Sequence, residues 1–371
     1  MLFSLGLFYL FGILSLMIVS AIYSSISADV EGLNQFSGKV TVVVPFRNEV
    51  KNIETIFDAL QAQTYANFEV IFVNDHSSDG SLKKLEALIN KSRKDLDVKV
   101  LNLIYKEGKK AAIAEGIAKS SGEIMLTTDA DCWFNERWVQ QMVQPFSNAT
   151  IQMVTGPVIL EGKSFLQKCQ RIEFGAIMVV SAVLVRAKMP AMANGANLAY
   201  RKSAFELVNG FEGIDQTPSG DDELLLMKIS RKFKNAVFFV KSQTSVVHTF
   251  GVKSLSDLVQ QRKRWASKWK VGKRFSTILT AIMVYLFQIV HLSIIGWMLA
   301  DRSMANLLLI ALGLKVFVEF LLIRGFFSSL EQKYSFVHFL VLQTFYPFYV
   351  LYFGLVSNFG NFQWKGRSFK I

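Results

Sequence analysis

Cysteine is nearly absent: Cys132 and Cys169 are the two in a chain of 371 residues. That count excludes a disulfide framework, and the pair lacks metal-ligand spacing, so a reduced compartment is the simple reading. No internal repeat and no low-complexity tract occurs, so the chain is read segment by segment. Acidic residues are also short, 29 against 41 Lys and Arg, for a net charge of +12. A nucleic-acid partner would suit that excess, but 51% of the residues are hydrophobic and 32 are Phe. Basic residues beside apolar runs are attracted instead to anionic lipid and mark cytoplasmic flanks. The length accommodates one large domain together with membrane segments.

The first apolar run, Leu2 to Ile22, is uncharged and about the ~20 residues needed to span hydrocarbon. No basic stretch precedes it and it is long for the core of a signal peptide. Ser25-Ile26-Ser27-Ala28 offers a cleavage site, yet the run reads better as an uncleaved anchor with its N-terminus outside. Three more apolar segments cover 276–300, 304–323 and 335–357. The first two are joined only by Asp301-Arg302-Ser303 and form a tight helical hairpin. Lys315 and Glu319 lie four apart on one helical face and pair within the membrane region. If all four segments cross, the tail with Lys365, Arg367 and Lys370 lies outside with the N-terminus, against the positive-inside rule. Either one segment is re-entrant, Pro347 making the last a candidate, or the tail breaks the rule. Residues 164–190 are apolar with sparse charge, but the core from Phe174 to Val185 is short for a span. They read as an interfacial amphipathic helix or as a buried helix of the domain.

Between these runs, strand and helix patterns alternate. Lys39 to Val44 is β-branched and ends at Pro45, as a fully buried strand does. Phe68 to Val73, Val98 to Leu103 and Ile124 to Leu126 follow as strands, with helices carrying Ile53, Ile56, Phe57 and Leu60, then Leu82, Leu85, Leu88 and Ile89, then Ala111 to Ala118. Four alternations predict a mostly parallel, doubly wound α/β sheet. A helix over Trp138 to Phe146 and strands at 152–156, Ala236 to Val240 and Thr244 to Val247 extend it. Asp221, Asp222 and Glu223 open an apolar helix, where helix-dipole capping is their bland role. Gln260 to Lys270 is a basic-aromatic helix that also suits a cationic belt beside the membrane.

The chain is organised around Ile124-Met125-Leu126-Thr127-Thr128-Asp129-Ala130-Asp131. A buried strand runs out into two carboxylates one residue apart, and alternation points both to one side. Hard oxygen ligands at that spacing suit Mg²⁺ or Mn²⁺, which in turn holds a diphosphate. Open α/β sheets bind ligands at the carboxyl ends of their strands, where this pair sits.

Taken together, these stretches resemble the membrane-bound inverting glycosyltransferases of family 2, which have a GT-A fold. The likeness covers about residues 38–270, with a weaker echo in the tail at Trp364-Lys365-Gly366-Arg367. Val43-Val44-Pro45-Phe46-Arg47-Asn48-Glu49 is similar to the family's opening strand and donor loop, which implies donor contacts at Pro45, Arg47 and Glu49. Asp75 stands where the family contacts nucleobase or ribose, and Gly108-Lys109 with Ala111-Ala112 matches its nucleotide-side G-K-x-x-A element. Thr128-Asp129-Ala130-Asp131 matches its metal-binding D-x-D. Gln261-Arg262-Lys263-Arg264-Trp265 matches Q-x-x-R-W, implying that Gln261, Arg264 and Trp265 lie by the diphosphate and acceptor channel. The usual Glu-Asp motif is replaced by Gly220-Asp221-Asp222-Glu223. Aligned on Asp221-Asp222 it makes Asp222 the general base; aligned on Glu223-Leu224 it makes Asp221 the base. His248 is either a phosphate contact or a packed histidine.

The resemblance implies a nucleotide-diphosphate sugar donor, a divalent metal, a lipid or membrane-presented acceptor and no nucleic acid. It places an anchor at 1–24, a GT-A domain at 38–250, an interfacial helix at 251–275, membrane helices at 276–357 and a basic tail at 358–371. The setting it suggests is a bacterial inner membrane with the domain in the cytoplasm. A processive polysaccharide synthase is the alternative enzyme, and a non-catalytic nucleotide-binding membrane scaffold the alternative of another class.

Overall fold

The computed structural model describes residues 2–26, 35–92, 96–268, 275–300, 303, 305–357 and 359–370. Helix α1 (Leu2–Ser24) leads into β1 (Val40–Phe46), α2 (Ile53–Gln61), β2 (Phe68–Asn74), α3 (Ser81–Lys91), β3 (Asp97–Asn102), α4 (Lys109–Ala118) and β4 (Ile124–Thr127). Every residue of β1, β2 and β4 is buried, which is why these strands read as continuous apolar runs. Next come β5 (Trp133–Phe134), α5 (Trp138–Val143), β6 (Met153–Thr155), β7 (Val158–Glu161), α6 (Phe165–Arg186), β8 (Leu198–Arg201), α7 (Lys202–Leu207), α8 (Glu223–Lys232), β9 (Val237–Phe239), β10 (Val247–Phe250) and α9 (Leu255–Ser267). The chain closes with α10 (Phe275–Ala300), α11 (Ala305–Ser329), α12 (Phe336–Val356) and the hairpin β11 (Asn361–Trp364) and β12 (Arg367–Lys370).

The central sheet has seven strands in the order β3-β2-β1-β4-β8-β6-β9. All neighbours run parallel except β8, which is antiparallel to both β4 and β6. That reversal sets Leu198 opposite Thr127, so the loop entering β8 lies beside the acidic end of β4. A second sheet has the order β5-β10-β7.

One expectation changes. Thr244 to Val247 is not a strand: residues 243–245 form a short 3₁₀ turn and β10 begins at Val247. The cause is local hydroxyl competition for the backbone, with Ser245 Oγ donating to Ser242 O at 2.8 Å. Residues 165–186 form one helix with a buried face. It opens on a reciprocal Ser164–Gln167 capping box and packs against α1, α11 and α12.

Among the described residues, four helices are long and apolar enough to cross a membrane: Gly6–Ser24 within α1, Ala281–Ala300 within α10, then α11 and α12. Lys315 meets Glu319 at 3.0 Å and Gln343 at 2.7 Å, so the expected pair also ties α11 to α12. Helix α12 does not lead away from the domain. Near its start His338 lies over Phe165 of α6 at 4.9 Å between rings. Two-thirds along, Tyr349 donates to Glu173 of α6 at 2.8 Å and accepts from Arg262 of α9 at 2.5 Å. Asp301 and Arg302 of the expected hairpin link, and Trp269 and Lys270 of the basic-aromatic stretch, fall outside the described residues.

Candidate active site

The ends of β1, β2 and β4 open on one pocket of about 120 Å³, lined by Pro45, Phe46, Arg47, Glu49, Asp75, Lys109, Asp129, Ala130, Asp131, Arg264, Trp364 and Lys365. A larger cavity of about 580 Å³ lies under Arg186, Lys188 and Lys234, but no motif residue lines it.

Each acid reaches the pocket by a short, specified path. After β1 the chain turns through Asn48 with φ 54°, and the Asn48 side chain accepts from the Ser78 N–H at 2.9 Å. Ser81 Oγ accepts from the Glu49 N–H at 2.7 Å, so the β1 and β2 loops brace each other. Asp75 sits at the start of α4, where the N–H of Gly108 donates to it at 3.1 Å. Gly108 holds φ 96°, a backbone that a side chain resists. Burial alone would raise the Asp75 carboxyl, but Arg367, His76 and the Gly108 N–H outweigh it and hold it below the usual range.

Asp129 and Asp131 both face the pocket, though not by strand alternation. β4 ends at Thr127, and a turn closed by the Cys132 N–H donating to Asp129 O at 3.2 Å brings the two carboxylates round. Burial, and then the charges of Asp129 and Glu49, push Asp131 up to about 6, against the pull of Lys365. A crowded, buried set of hard oxygens is what a divalent cation relieves. Among the described residues no three His, Cys, Asp or Glu side chains form a protein-only cage. The donor set therefore fits a Mg²⁺-like ion held by one or two carboxylates and completed by ligand phosphates.

Lys109, at the first turn of α4, bridges Asp129 at 2.7 Å and Asp221 at 2.9 Å. Burial works against its charge, but these two acids hold its pKa above the ordinary value, and it holds Asp221 below. Gly195 makes the approach possible: a Cβ there would fall 2.6 Å from Asp221 Oδ2 and 3.0 Å from Lys109 Nζ. The Gly195 N–H donates to Asp222 Oδ2 at 3.1 Å, and Asp222 Oδ1 accepts from the Glu223 N–H at 2.6 Å as the cap of α8. Asn197 anchors this loop, donating to Pro157 O and Ser245 O at 2.8 Å each and accepting from Trp138 at 3.0 Å.

Of the residues singled out in the sequence, Pro45, Arg47, Glu49, Asp75, Lys109, Asp129, Asp131 and Arg264 line the pocket, and Asp221 joins through Lys109. Trp265 packs on Phe174 at 5.9 Å and under Arg262 at 4.3 Å, away from that lining. The Gln261 amide oxygen is buried and finds no hydrogen-bond partner among the described residues. His248 stacks on Trp133 at 5.7 Å and bonds Glu161 at 3.0 Å.

Sequence reasoning missed two contributors and read a third, the tail, only as a weak echo with no place in the pocket. Lys110 is buried and donates to Thr217 O at 2.9 Å and to Ile214 O, pinning the loop before the acidic motif. Lys268 pairs with Glu223 beside Asp222. The hairpin residues Trp364, Lys365 and Arg367 close the pocket, and their clustered Trp-Lys-Gly-Arg was the available signal.

A seven-stranded, largely parallel sheet with an acidic pair at the end of its fourth strand defines a GT-A fold. The same fold is seen in the mannosyltransferase PcManGT of Pyrobaculum calidifontis, solved with GDP-Man and Mn²⁺, at TM-score 0.60 and 15% identity over 96% of both chains. Residues 41–207 match the family model for "Glycosyl transferase family 2", so this part of the chain is similar to that family. It is similar to the dolichol-phosphate mannosyltransferase of Pyrococcus furiosus, 26% identical over 58% of this chain and 57% of that one. It is also similar to the poly-beta-1,6-N-acetyl-D-glucosamine synthase of Staphylococcus epidermidis, 31% identical over 35% of this chain and 31% of that one. The chain thus spans little more than half the length of the first of these curated relatives and less of the second.

Proposed function

We propose that this protein is a metal-dependent, inverting glycosyltransferase that moves a sugar from a nucleoside-diphosphate sugar to a lipid acceptor presented at the membrane. The observation that carries this reading is the convergence of Asp75, Lys109, Asp129, Asp131 and Arg264 on one pocket, in a chain with four membrane-length apolar helices. Asp75 is the partner for nucleobase or ribose. Lys109 and Arg264 neutralise the departing diphosphate. Asp129 and Asp131 would hold the metal, which supplies Lewis-acid charge at the diphosphate when bound.

The base must accept the acceptor hydroxyl's proton. Asp221 is buried and committed to Lys109, whereas Asp222 is half-buried and held only by backbone N–H groups. Asp222 is therefore the better base: backbone N–H groups orient it, and among the described residues no Lys or Arg forms a direct ion pair with it, although Lys109, Lys110 and Lys268 lie near enough to act on it electrostatically.

Helices α1, α10 and α11 cross the bilayer, and α12, packed on α10 as well as on α6 and α9, is the one that does not. Three crossings put the tail on the domain's side, which satisfies the positive-inside rule and agrees with the tail's contacts in the pocket. We place the domain at the cytoplasmic face of a bacterial inner membrane. The P. furiosus relative, named for a lipid phosphate, and the P. calidifontis structure with GDP-Man and Mn²⁺ support the substrate classes.

The test uses detergent-purified protein, a panel of radiolabelled nucleotide sugars, Mn²⁺ or Mg²⁺, and extracted membrane lipids. Label is expected in an organic-soluble product, lost with chelator and reduced roughly 10²- to 10³-fold in Asp131→Asn. Label only in a large water-soluble polymer would replace this reading with a processive synthase. Nucleotide binding without turnover of any donor would leave a scaffold.

A further inference from the structure

The pocket is shut by the chain's own tail. β11 and β12 pair antiparallel, with Trp364 opposite Arg367. Between them Lys365 and Gly366 take φ 47° and 78°, the two successive positive values of a tight hairpin turn. That turn is what enters the pocket. Arg367 forks onto Asp75 at 2.8 and 3.0 Å and reaches Glu107 at 2.8 Å. Lys365 pairs with Glu49, and its carbonyl accepts from Arg47 Nε at 3.2 Å. Arg264 lies over the Trp364 ring at 5.3 Å.

These contacts fall almost entirely on residues that the donor reading needs. Asp75 cannot present both carboxylate oxygens to a guanidinium and also receive a nucleoside. The space left, about 120 Å³, is well below the roughly 300–1,000 Å³ of pockets that bury small ligands. The hairpin is also lightly fastened. Its buried apolar anchor is Phe362, stacked on Phe369 at 5.3 Å, and the Gln363 N–H donates to Gln260 of α9 at 2.9 Å. An isolated two-stranded hairpin is marginal in water, so the ion pairs in the pocket contribute much of what keeps it down.

We infer that the C-terminal hairpin is a latch that competes with the nucleotide: turn and nucleoside diphosphate exclude each other at Asp75 and Glu49, and donor binding swings the turn out. This rests on the donor site proposed above. In the closed state Lys365 and Arg367 neutralise acids that otherwise repel each other. A donor arriving with its metal supplies replacement positive charge and hydrogen-bond donors, and the ion pairs exchange. Because the two states are linked, whatever weakens the latch strengthens nucleotide binding by the same factor.

The experiment measures hydrogen exchange of residues 361–370 in the detergent-solubilised full chain, with and without GDP or UDP plus Mn²⁺. Calorimetric Kd values for the same nucleotides are taken on the unmodified protein, Arg367→Gln and Gln260→Ala. Nucleotide is expected to speed exchange across the hairpin, and Arg367→Gln to bind about tenfold tighter. Gln260→Ala, which loosens the hairpin without touching the pocket, should shift Kd in the same direction by a few fold and serves if Arg367→Gln fails to fold. Slower exchange with weaker binding would overturn the latch and make the turn a clamp on bound donor. Unchanged exchange alongside clear binding would overturn it too. If no nucleotide binds any of the three proteins, the donor-site reading falls and the latch with it.

Discussion

The two walls of the pocket are built by opposite means. On one wall, Glu49, Asp75, Asp129 and Asp131 follow directly from β1, β2 and β4, adjacent parallel strands with fully buried residues. On the other, Asp221, Asp222, Arg264 and Lys365 come from a loop, a helix cap, a helix and a hairpin, joined by contacts between residues far apart in sequence. The first wall inherits its geometry from backbone ladders that no single side chain controls. The second depends on individual ion pairs, and that is where single substitutions should separate binding from turnover.

The largest expected effect divides the acidic motif of the second wall. Asp222→Asn should lower kcat by roughly 10³-fold while leaving nucleotide Kd unchanged, the loss typical of a general base. Asp221→Asn frees Lys109 from one partner and should act mainly on nucleotide Kd, with a smaller loss of kcat. Steady-state rates and calorimetry on both variants decide it, and reversed roles would make Asp221 the base.

Next in size is the joint between the second wall and the membrane helices. Arg262 and Glu173 are about one-tenth exposed and meet at 2.6 Å, with Tyr349 bonded to both. Glu173→Ala leaves a buried guanidinium alone and should cost about 3–5 kcal/mol, read as a lowered Tm in detergent. Tyr349→Phe keeps the ion pair and should cost about 1 kcal/mol. Equal losses would mean that the hydroxyl, not the charge pair, holds α12 to the domain.

The first wall has its own weak point in Glu69 of β2. Burial would raise its carboxyl, but Lys99 at 2.7 Å, the Ser121 N–H and hydroxyl and the Thr41 hydroxyl outweigh that and bring it down to about 2. A depressed carboxylate contributes stability above its unfolded pKa near 4.5, and that stability is lost as pH falls toward the folded value. Chemical unfolding should therefore show about 2 kcal/mol lost between pH 5 and pH 3 from this residue, and Glu69→Gln should flatten the slope.

The same contrast explains what could be read from the sequence. β1 to β4 and their acids were legible because buried strand, turn and ligand are contiguous, as in Leu126-Thr127-Thr128-Asp129. Even there the last step differed, since a turn rather than strand alternation brings Asp131 round. Arg264 was legible only through its motif. Trp265, next to it, faces Phe174 instead, because helical spacing sends neighbours to different faces. Lys110 was indistinguishable from a solvated lysine, since its partners at 214 and 217 are more than 100 residues away. The placement of α12 was equally hidden. Hydropathy reports that a helix suits lipid, not what it packs against, and the contacts of Tyr349 and His338 with α6 and α9 join residues far apart in sequence.

The hairpin also orders events during synthesis. Its ion pairs join residues 292 and 316 positions apart, and α10, α11 and α12 are translated between them. The sheet and its acidic wall are complete while α10 to α12 are still emerging, so the newborn domain spends that interval with Glu49 and Asp75 uncovered. A chain arrested on the ribosome before residue 361 should therefore hold nucleotide more tightly than the finished protein, and its release would be the moment at which the pocket first closes.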